Sequence, residues 1–275
     1  MSDPFFNNDL CVGCGSCVTE CHLLFIDKRG RGNVPYMKMQ NLCISCGHCV
    51  AVCPNNAVTH PDIEMSNCHY IGEIAQPEAL AELFKARRSA REFKNKPIEK
   101  SIIEDVINMA SYAPSDLNSQ NRYFYVLTET EKINTIEAAV VEGFAKYIES
   151  AVQSGVPENS SEILLSRDIV NDFRNGKHSI FRNAPCLIFI FGPQESESFF
   201  APFNAITANA YIMLYARSLG LESCVIGRVM YNTNELGEFL GIPQNQKIYS
   251  ALALGYPKAK YKKTVDRKPK KVIWN

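Results

Sequence analysis

Two runs of cysteine constrain this chain more than anything else in it. Cys11-Val-Gly-Cys14-Gly-Ser-Cys17-Val-Thr-Glu-Cys21 and Cys43-Ile-Ser-Cys46-Gly-His-Cys49-Val-Ala-Val-Cys53-Pro54 share one spacing, C-x2-C-x2-C-x3-C. A two-residue gap lets successive thiolates wrap the corners of one inorganic cluster. Glycines at 13, 15 and 47 relieve crowding where backbone N–H groups approach sulfur. After three thiolates the chain leaves in a helical turn, and the fourth cysteine points elsewhere. Eight of the eleven cysteines lie in this stretch; Cys68, Cys186 and Cys224 are scattered. Clustering of this kind in a chain without a secretory leader points to metal rather than disulfides. Zinc is the plainer alternative, because paired C-x2-C motifs do bind it. Zinc takes four ligands as two separated pairs, however, and does not call for an eight-cysteine duplication closed by a proline. The spacing is that of iron–sulfur ligation, with two 4Fe–4S clusters.

Residues 5–65 resemble bacterial two-cluster ferredoxins. In that family the fourth cysteine of each run ligates the other cluster. The resemblance therefore implies Cys11, Cys14, Cys17 and Cys53 on one cluster, and Cys43, Cys46, Cys49 and Cys21 on the other. His22 stands where the first run usually has proline. His22 and His48 are candidates for tuning a cluster potential, against the plainer reading of solvated surface residues. Cys68 and His69 have no partner pair and read as structural.

The chain has 275 residues, enough for two domains. We expect a cluster module over 1–65, a connector over 66–79 and a larger domain over 80–275. Formal net charge is zero, so the whole molecule advertises no nucleic-acid partner. The longest apolar run, Cys186 to Phe191, is far short of the ~20 residues a membrane span needs. The first residues show no secretory signal, which makes the cytoplasm the expected location and leaves no membrane role.

Beyond Leu80 cysteines thin out and helical periodicity appears. Ile98, Ile102, Ile103, Val106, Ile107 and Ala110 recur at helical spacing up to Pro114. Arg122–Thr128 reads as a strand, Lys132–Gln153 and Glu162–Asn175 as helices, and Cys186–Phe191 as a continuous apolar strand. Ala205–Leu219 is apolar nearly all round and reads as a buried helix, and Met, Phe and Tyr here and elsewhere in the chain are read as core. Short strands are expected at Cys224–Gly227 and Ile248–Leu254. The fold class is α+β, a central sheet flanked by helices.

Four motifs in this region resemble, in order, those of the FMN-dependent nitroreductase family. They are Arg87-Arg88-Ser89-Ala-Arg91, Ala113-Pro114-Ser115-Asp-Leu-Asn118-Ser-Gln120, Gly220-Leu-Glu-Ser-Cys-Val-Ile226-Gly227 and Leu252-Ala-Leu-Gly-Tyr-Pro257. The resemblance covers about 80–275. It implies a homodimer with FMN at the interface, and Arg87, Ser89 and Arg267 at the flavin phosphate, with Arg88 beside them. It sets Arg91 near the ring edge that gains negative charge on reduction, where a cation raises the potential. Pro114, Ser115, Asn118 and Gln120 belong to a loop that reaches the partner's flavin. Ile226 and Gly227 form the turn whose backbone N–H faces the reactive flavin nitrogen. Many members continue the second motif with Pro-Trp, where this chain has Asn121-Arg122. Lys177 falls near another ring contact. No side-chain nucleophile is expected, because the flavin carries the chemistry.

Clusters pass single electrons, and a flavin accepts one or two. The fusion implies an oxidoreductase that collects electrons singly and delivers them in pairs to a small-molecule acceptor: a nitro compound, a quinone or an activated double bond. Reduced ferredoxin is one donor. NAD(P)H is the alternative, with the clusters in a secondary role, and a non-enzymatic redox sensor is a third reading. Through Glu64 the module has four Lys/Arg and six Asp/Glu, whereas eight Lys/Arg from Lys258 to Lys271 face Asp266 alone. This basic strip is either a solvated end or an attractor for an acidic electron donor.

Overall fold

The structure, a computed structural model, describes residues 2–274, with the side chains of 231–234 outside the description. The outer limits of the expected domains, 1 and 275, lie outside the described residues. The chain forms two compact units. One comprises the residues up to Ile74 together with Asp116–Ser119; the other comprises Ala75–Ser115 and everything from Gln120 onward.

The first unit repeats one small plan. Strand β1 (Phe5–Phe6) pairs antiparallel with β4 (Val58–Thr59), and β2 (Leu24–Phe25) with β3 (Tyr36–Met37). Helices α1 (Ser16–Glu20) and α2 (His48–Ala51) each bury the third cysteine of a run, Cys17 and Cys49. Both helices are entered through a left-handed glycine, Gly15 at φ 77° and Gly47 at φ 72°, a conformation that L side chains adopt only with strain. Leu24 and Val58 close a small core around the two cysteines.

The second unit is a three-layer sandwich. Strands β5 (Tyr123–Leu127), β6 (Cys186–Pro193), β7 (Glu222–Val225) and β8 (Gln246–Gly255) form a sheet in the order β5-β6-β8-β7, antiparallel throughout. Strand β6 is continuously apolar because both faces are covered. Cys186, Ile188 and Ile190 pack in one cluster, Leu187 and Phe189 in the other. Burial pushes the Cys186 thiol up to about 12, which makes it a packing residue.

Helices α4 (Lys100–Ser111) and α7 (Ala201–Ser218) supply side chains to the first cluster. Helices α5 (Thr130–Gln153), α6 (Ser161–Arg174) and α8 (Thr233–Leu240) supply the second. Helix α3 (Pro77–Ala86) begins inside the expected connector and ends at Arg87. Among the described residues no helix is long and apolar enough to cross a membrane.

Helix α7 departs from expectation. Its small residues Ala205, Ala208 and Ala216 are buried with Ile212, while Phe203, Ile206 and Tyr211 are exposed. Phe199 and Phe200 extend the open face; the rings of Phe199, Phe200 and Phe203 lie 5.2–6.2 Å apart, Phe199 and Phe200 edge to face and the other two pairs tilted. An apolar helix is thus covered on one side only. Sequence periodicity could not reveal this, because both sides are apolar.

Arg122, where many relatives of the motif carry tryptophan, is 6% exposed. Its Nη2 donates to the carbonyls of Ala110, Ser111 and Ala113 at 3.3, 2.8 and 2.6 Å. It closes the C-terminus of α4 and fixes the start of the following loop. Arg122→Ala removes these bonds at a buried site and should lower unfolding free energy by roughly 2–4 kcal/mol. Urea denaturation checks this; a loss under about 0.5 kcal/mol, the range of ordinary surface substitutions, would contradict it.

Candidate functional site

The eight cysteines of the two runs are free thiols and fall into two groups. Cys11, Cys14, Cys17 and Cys53 line one cavity with Phe6, Pro54 and Val58. Burial pushes the Cys17 thiol up, with Cys14 and Cys53 adding to the effect. Burial pushes Cys49 up to about 11, and there the added neighbours are Cys43, Cys21 and Cys46. The fourth cysteine of each run therefore stands with the other run. Among the described residues no three such side chains converge tightly enough to hold a single metal ion. The first four surround a space instead, as the corners of a cubic cluster require. The donor set is all thiol, the chemistry of a 4Fe–4S cube. The Ala57 N–H donates to Cys53 Sγ at 3.2 Å, and Cys14 Sγ lies 3.3 Å from the Ser16 hydroxyl, which holds the Cys14 thiol below its ordinary range.

His22 and His48 are exposed. The imidazole at the cysteines is His60, 3% exposed, with Nε2 3.5 Å from Cys43 Sγ. No spacing signal marked it. Cys68 and His69 are exposed and make local bonds to Glu64 O and Asn67 O.

In the second unit three of the four motifs come together. Ser89 bridges Ser223 in parallel, and the Ala90 N–H donates to Ser223 O at 3.2 Å. Phe93 bridges Pro257, with Lys94 N–H to Tyr256 O and Lys258 N–H to Glu92 O. Strand β7 pairs with β8 from Glu222 opposite Gly255 to Val225 opposite Leu252.

Beneath this junction lies Glu222, 1% exposed, which no feature of its motif marks as functional. Its Oε2 accepts the Arg88 N–H at 3.3 Å, and its Oε1 lies 3.1 Å from Arg217 Nη1. Burial raises its pKa, while the neighbouring backbone N–H of Arg88 and the charges of Arg217, Arg87 and Arg88 pull it down. Three arginines around one carboxylate leave a positive excess that suits a phosphate dianion. Arg88 itself donates to Lys85 O and Arg87 O, and to Lys263 O at 3.5 Å, which brings the C-terminal tail beside it. Ser89 and Arg91 are exposed, as is Arg267, whose N–H donates to Asp266.

The Ile226 N–H donates to Ala251 O at 2.8 Å, so of the two turn residues Gly227 has the N–H at the start of a 3-10 turn. A Cβ on Gly227 would meet nothing within 4 Å, so space is open beside that backbone. These features fit a flavin. Lys177 pairs instead with Asp172 at 3.1 Å.

The second motif divides. The Pro114 carbonyl accepts from Thr207 Oγ1 at 3.1 Å, and Ser115 Oγ accepts the Gln120 N–H at 3.0 Å. Asp116–Ser119 belong to the first unit. There Asn118 Nδ2 donates to Ile44 O at 3.2 Å and Ser45 O at 3.0 Å, between two cysteines of the second run. Leu117, Asn118 and Gln120 all have positive φ (44°, 53° and 47°), a concentration of strain that accompanies functional loops.

Comparison with known proteins decides the lineage. Residues 84–256, more than half the chain, match the nitroreductase family, and residues 10–58 match the 4Fe-4S dicluster domain. The chain belongs to the nitroreductase family. It is an oxidoreductase of that family carrying an N-terminal ferredoxin-like domain for two 4Fe–4S clusters. YfhC of Bacillus subtilis (strain 168), provisionally named an NAD(P)H nitroreductase, is 25% identical over 190 residues, 67% of this chain and 88% of its own. A nitrobenzene nitroreductase of Ectopseudomonas oleovorans is 28% identical over 208 residues, 64% of this chain and 86% of its own. The crystal structure of a Bacteroides fragilis nitroreductase with bound FMN shares the fold, with a TM-score of 0.57 at 22% identity over 71% of this chain and 98% of that one.

Within this nitroreductase frame, α5 and α6 enclose a cavity of about 240 Å³. Phe144, Tyr147, Leu165 and Ile169 form apolar walls, Glu162 is on the lining, and Arg228 enters directly after Gly227. The sequence held no signal for it, because its walls come from two helices and a turn far apart in the chain.

The buried carboxylate gives a pH test. A Glu222 pKa raised above the unfolded 4.5 means the native state holds more protons, so stability falls as pH rises from 4.5 through the folded value. Glu222→Gln should flatten that part of the profile, measured by urea denaturation at pH 4.5, 5.5 and 6.5. An unchanged slope would show that Glu222 does not titrate in this range.

Proposed function

We propose that this protein is an FMN-dependent oxidoreductase that takes in electrons through two 4Fe–4S clusters and reduces a small organic acceptor beside the flavin. Nitro compounds, quinones and activated double bonds are the acceptor classes. The observation that carries this reading is the joining, in one polypeptide, of two four-thiol groups to a nitroreductase frame. Cys11, Cys14, Cys17 and Cys53 hold one cluster; Cys43, Cys46, Cys49 and Cys21 hold the other.

When bound, FMN supplies the conversion between single electrons and two-electron reduction. The chain's own residues bind and orient it. Arg87, Ser89 and Arg267 neutralise the phosphate, with Arg88 fixed among them by Glu222. Arg91 offers a cation to the ring edge. The Gly227 N–H donates to the reactive side of the ring. Arg228 and the walls of the α5–α6 cavity receive the acceptor, Arg228 suiting one that bears or develops negative charge. No side chain is required as a nucleophile.

The working form is a homodimer. The open aromatic face of Phe199, Phe200, Phe203 and Ile206 supports this, since a patch of that kind on a soluble enzyme calls for cover. Pro114, Ser115, Asn118 and Gln120 serve the partner's flavin. Asn118 does so through Oδ1 or the backbone, because its Nδ2 is engaged. The protein works in the cytoplasm, where thiols stay reduced.

The donor is reduced ferredoxin or a similar acidic one-electron carrier, drawn by the basic tail. A second reading has a specific observation behind it: YfhC carries NAD(P)H in its name. There the nicotinamide reduces the flavin directly and the clusters are secondary. Stopped-flow reduction by NADH, NADPH and reduced ferredoxin, followed in parallel, separates the two. Ferredoxin should bleach the clusters first and the flavin afterwards, more slowly as ionic strength rises. Rapid flavin reduction by NADH or NADPH, with ferredoxin inert, would overturn the first reading in favour of the second.

A further inference from the structure

The imidazole of His60 is fully enclosed and held from several sides. Its Nδ1 accepts the Asp62 N–H at 3.1 Å, so in the neutral ring the proton is on Nε2. Nε2 faces Cys43 Sγ at 3.5 Å. Asp62 Oδ2, 3.9 Å from the same Nδ1, accepts from Ser45 Oγ at 2.8 Å. Ser45 lies between Cys43 and Cys46, and its carbonyl accepts from Asn118. One connected set of bonds thus runs from Asn118 through Ser45, Asp62 and His60 to a cysteine sulfur. A ring so fixed keeps its donor on that sulfur, and with no solvent reaching it water does not compete.

We propose that His60 is a potential-setting residue of the second cluster, donating Nε2–H to the Cys43 sulfur and raising that cluster's midpoint. The proposal rests on Cys43, Cys46, Cys49 and Cys21 being the ligands. Reduction adds one electron and one negative charge to the cluster, and no proton moves. A donor aimed at a ligand sulfur stabilises the more negative state, so the reduced form gains. The first cluster is served by other groups, the Ala57 N–H on Cys53 and the Ser16 hydroxyl beside Cys14. Among the described residues no histidine is bonded to its four thiols. A change at His60 therefore addresses one cluster and spares the other. His60 is a positioning residue rather than an iron ligand; it acts through Cys43.

The test is an EPR-monitored redox titration of the full-length holoprotein, wild type against His60→Leu and His60→Gln, with iron and sulfide counted in each. His60→Leu should shift the one-electron equilibrium of one cluster toward oxidation by about tenfold, ~59 mV, leaving the other midpoint in place. His60→Gln, which keeps an N–H donor, should recover part of the shift. In wild type labelled with [15N]histidine, the reduced protein should show a hyperfine coupling that His60→Gln lacks. Full iron in His60→Leu with both midpoints unmoved, or both moved equally, would overturn the proposal. So would a wild-type spectrum with no coupling specific to His60, and that spectrum decides the matter if His60→Leu fails to hold iron. A wild-type protein without about eight iron per chain would instead refute the ligand assignment itself.

Discussion

Neither cysteine run closes a site alone. Three thiols from one run and the last from the other stand together, and on the proposed ligand assignment each half of the module needs the other. The short strands and two helices of little more than a turn bury little apolar surface. A unit this size ordinarily needs a staple, and here the metal supplies it. Burial raises Cys49 to about 11, so iron must displace a firmly held proton as it binds.

The larger unit solves a different problem. The segment 87–94, which we propose binds the flavin phosphate, is an irregular stretch with no sheet of its own. Ser89 and Phe93 fasten it to β7 and to the end of β8, and Glu222 ties the Arg88 backbone from below. The carboxylate is costly to bury, which its raised pKa records, and it is tolerated because three arginines surround it. Positive charge for a phosphate and a rigid path for the chain come from the same contact.

Much of this was legible in the residues. Cysteine spacing foretold two 4Fe–4S clusters, and apolar continuity foretold β6 as a strand. What stayed hidden depended on burial. His60 and Glu222 look like any surface His and Glu in sequence; only packing makes one a donor to sulfur and the other an anchor. Helix α7 read as enclosed because Phe203, Ile206 and Tyr211 are as apolar as the buried side. Arg122, noticed as a departure from the motif, turned out to replace an aromatic with three carbonyl bonds. Asn118 was read for its amide, and that amide faces the second cysteine run.

The proposed function requires that clusters and flavin exchange electrons within the assembled protein. Flash photoreduction of the oxidised holoprotein, delivering less than one electron per chain, tests it directly. Cluster bleaching should decay as flavin reduction appears, at a first-order rate unchanged by protein concentration. Cluster reoxidation with no matching flavin signal, or a rate proportional to concentration, would contradict it.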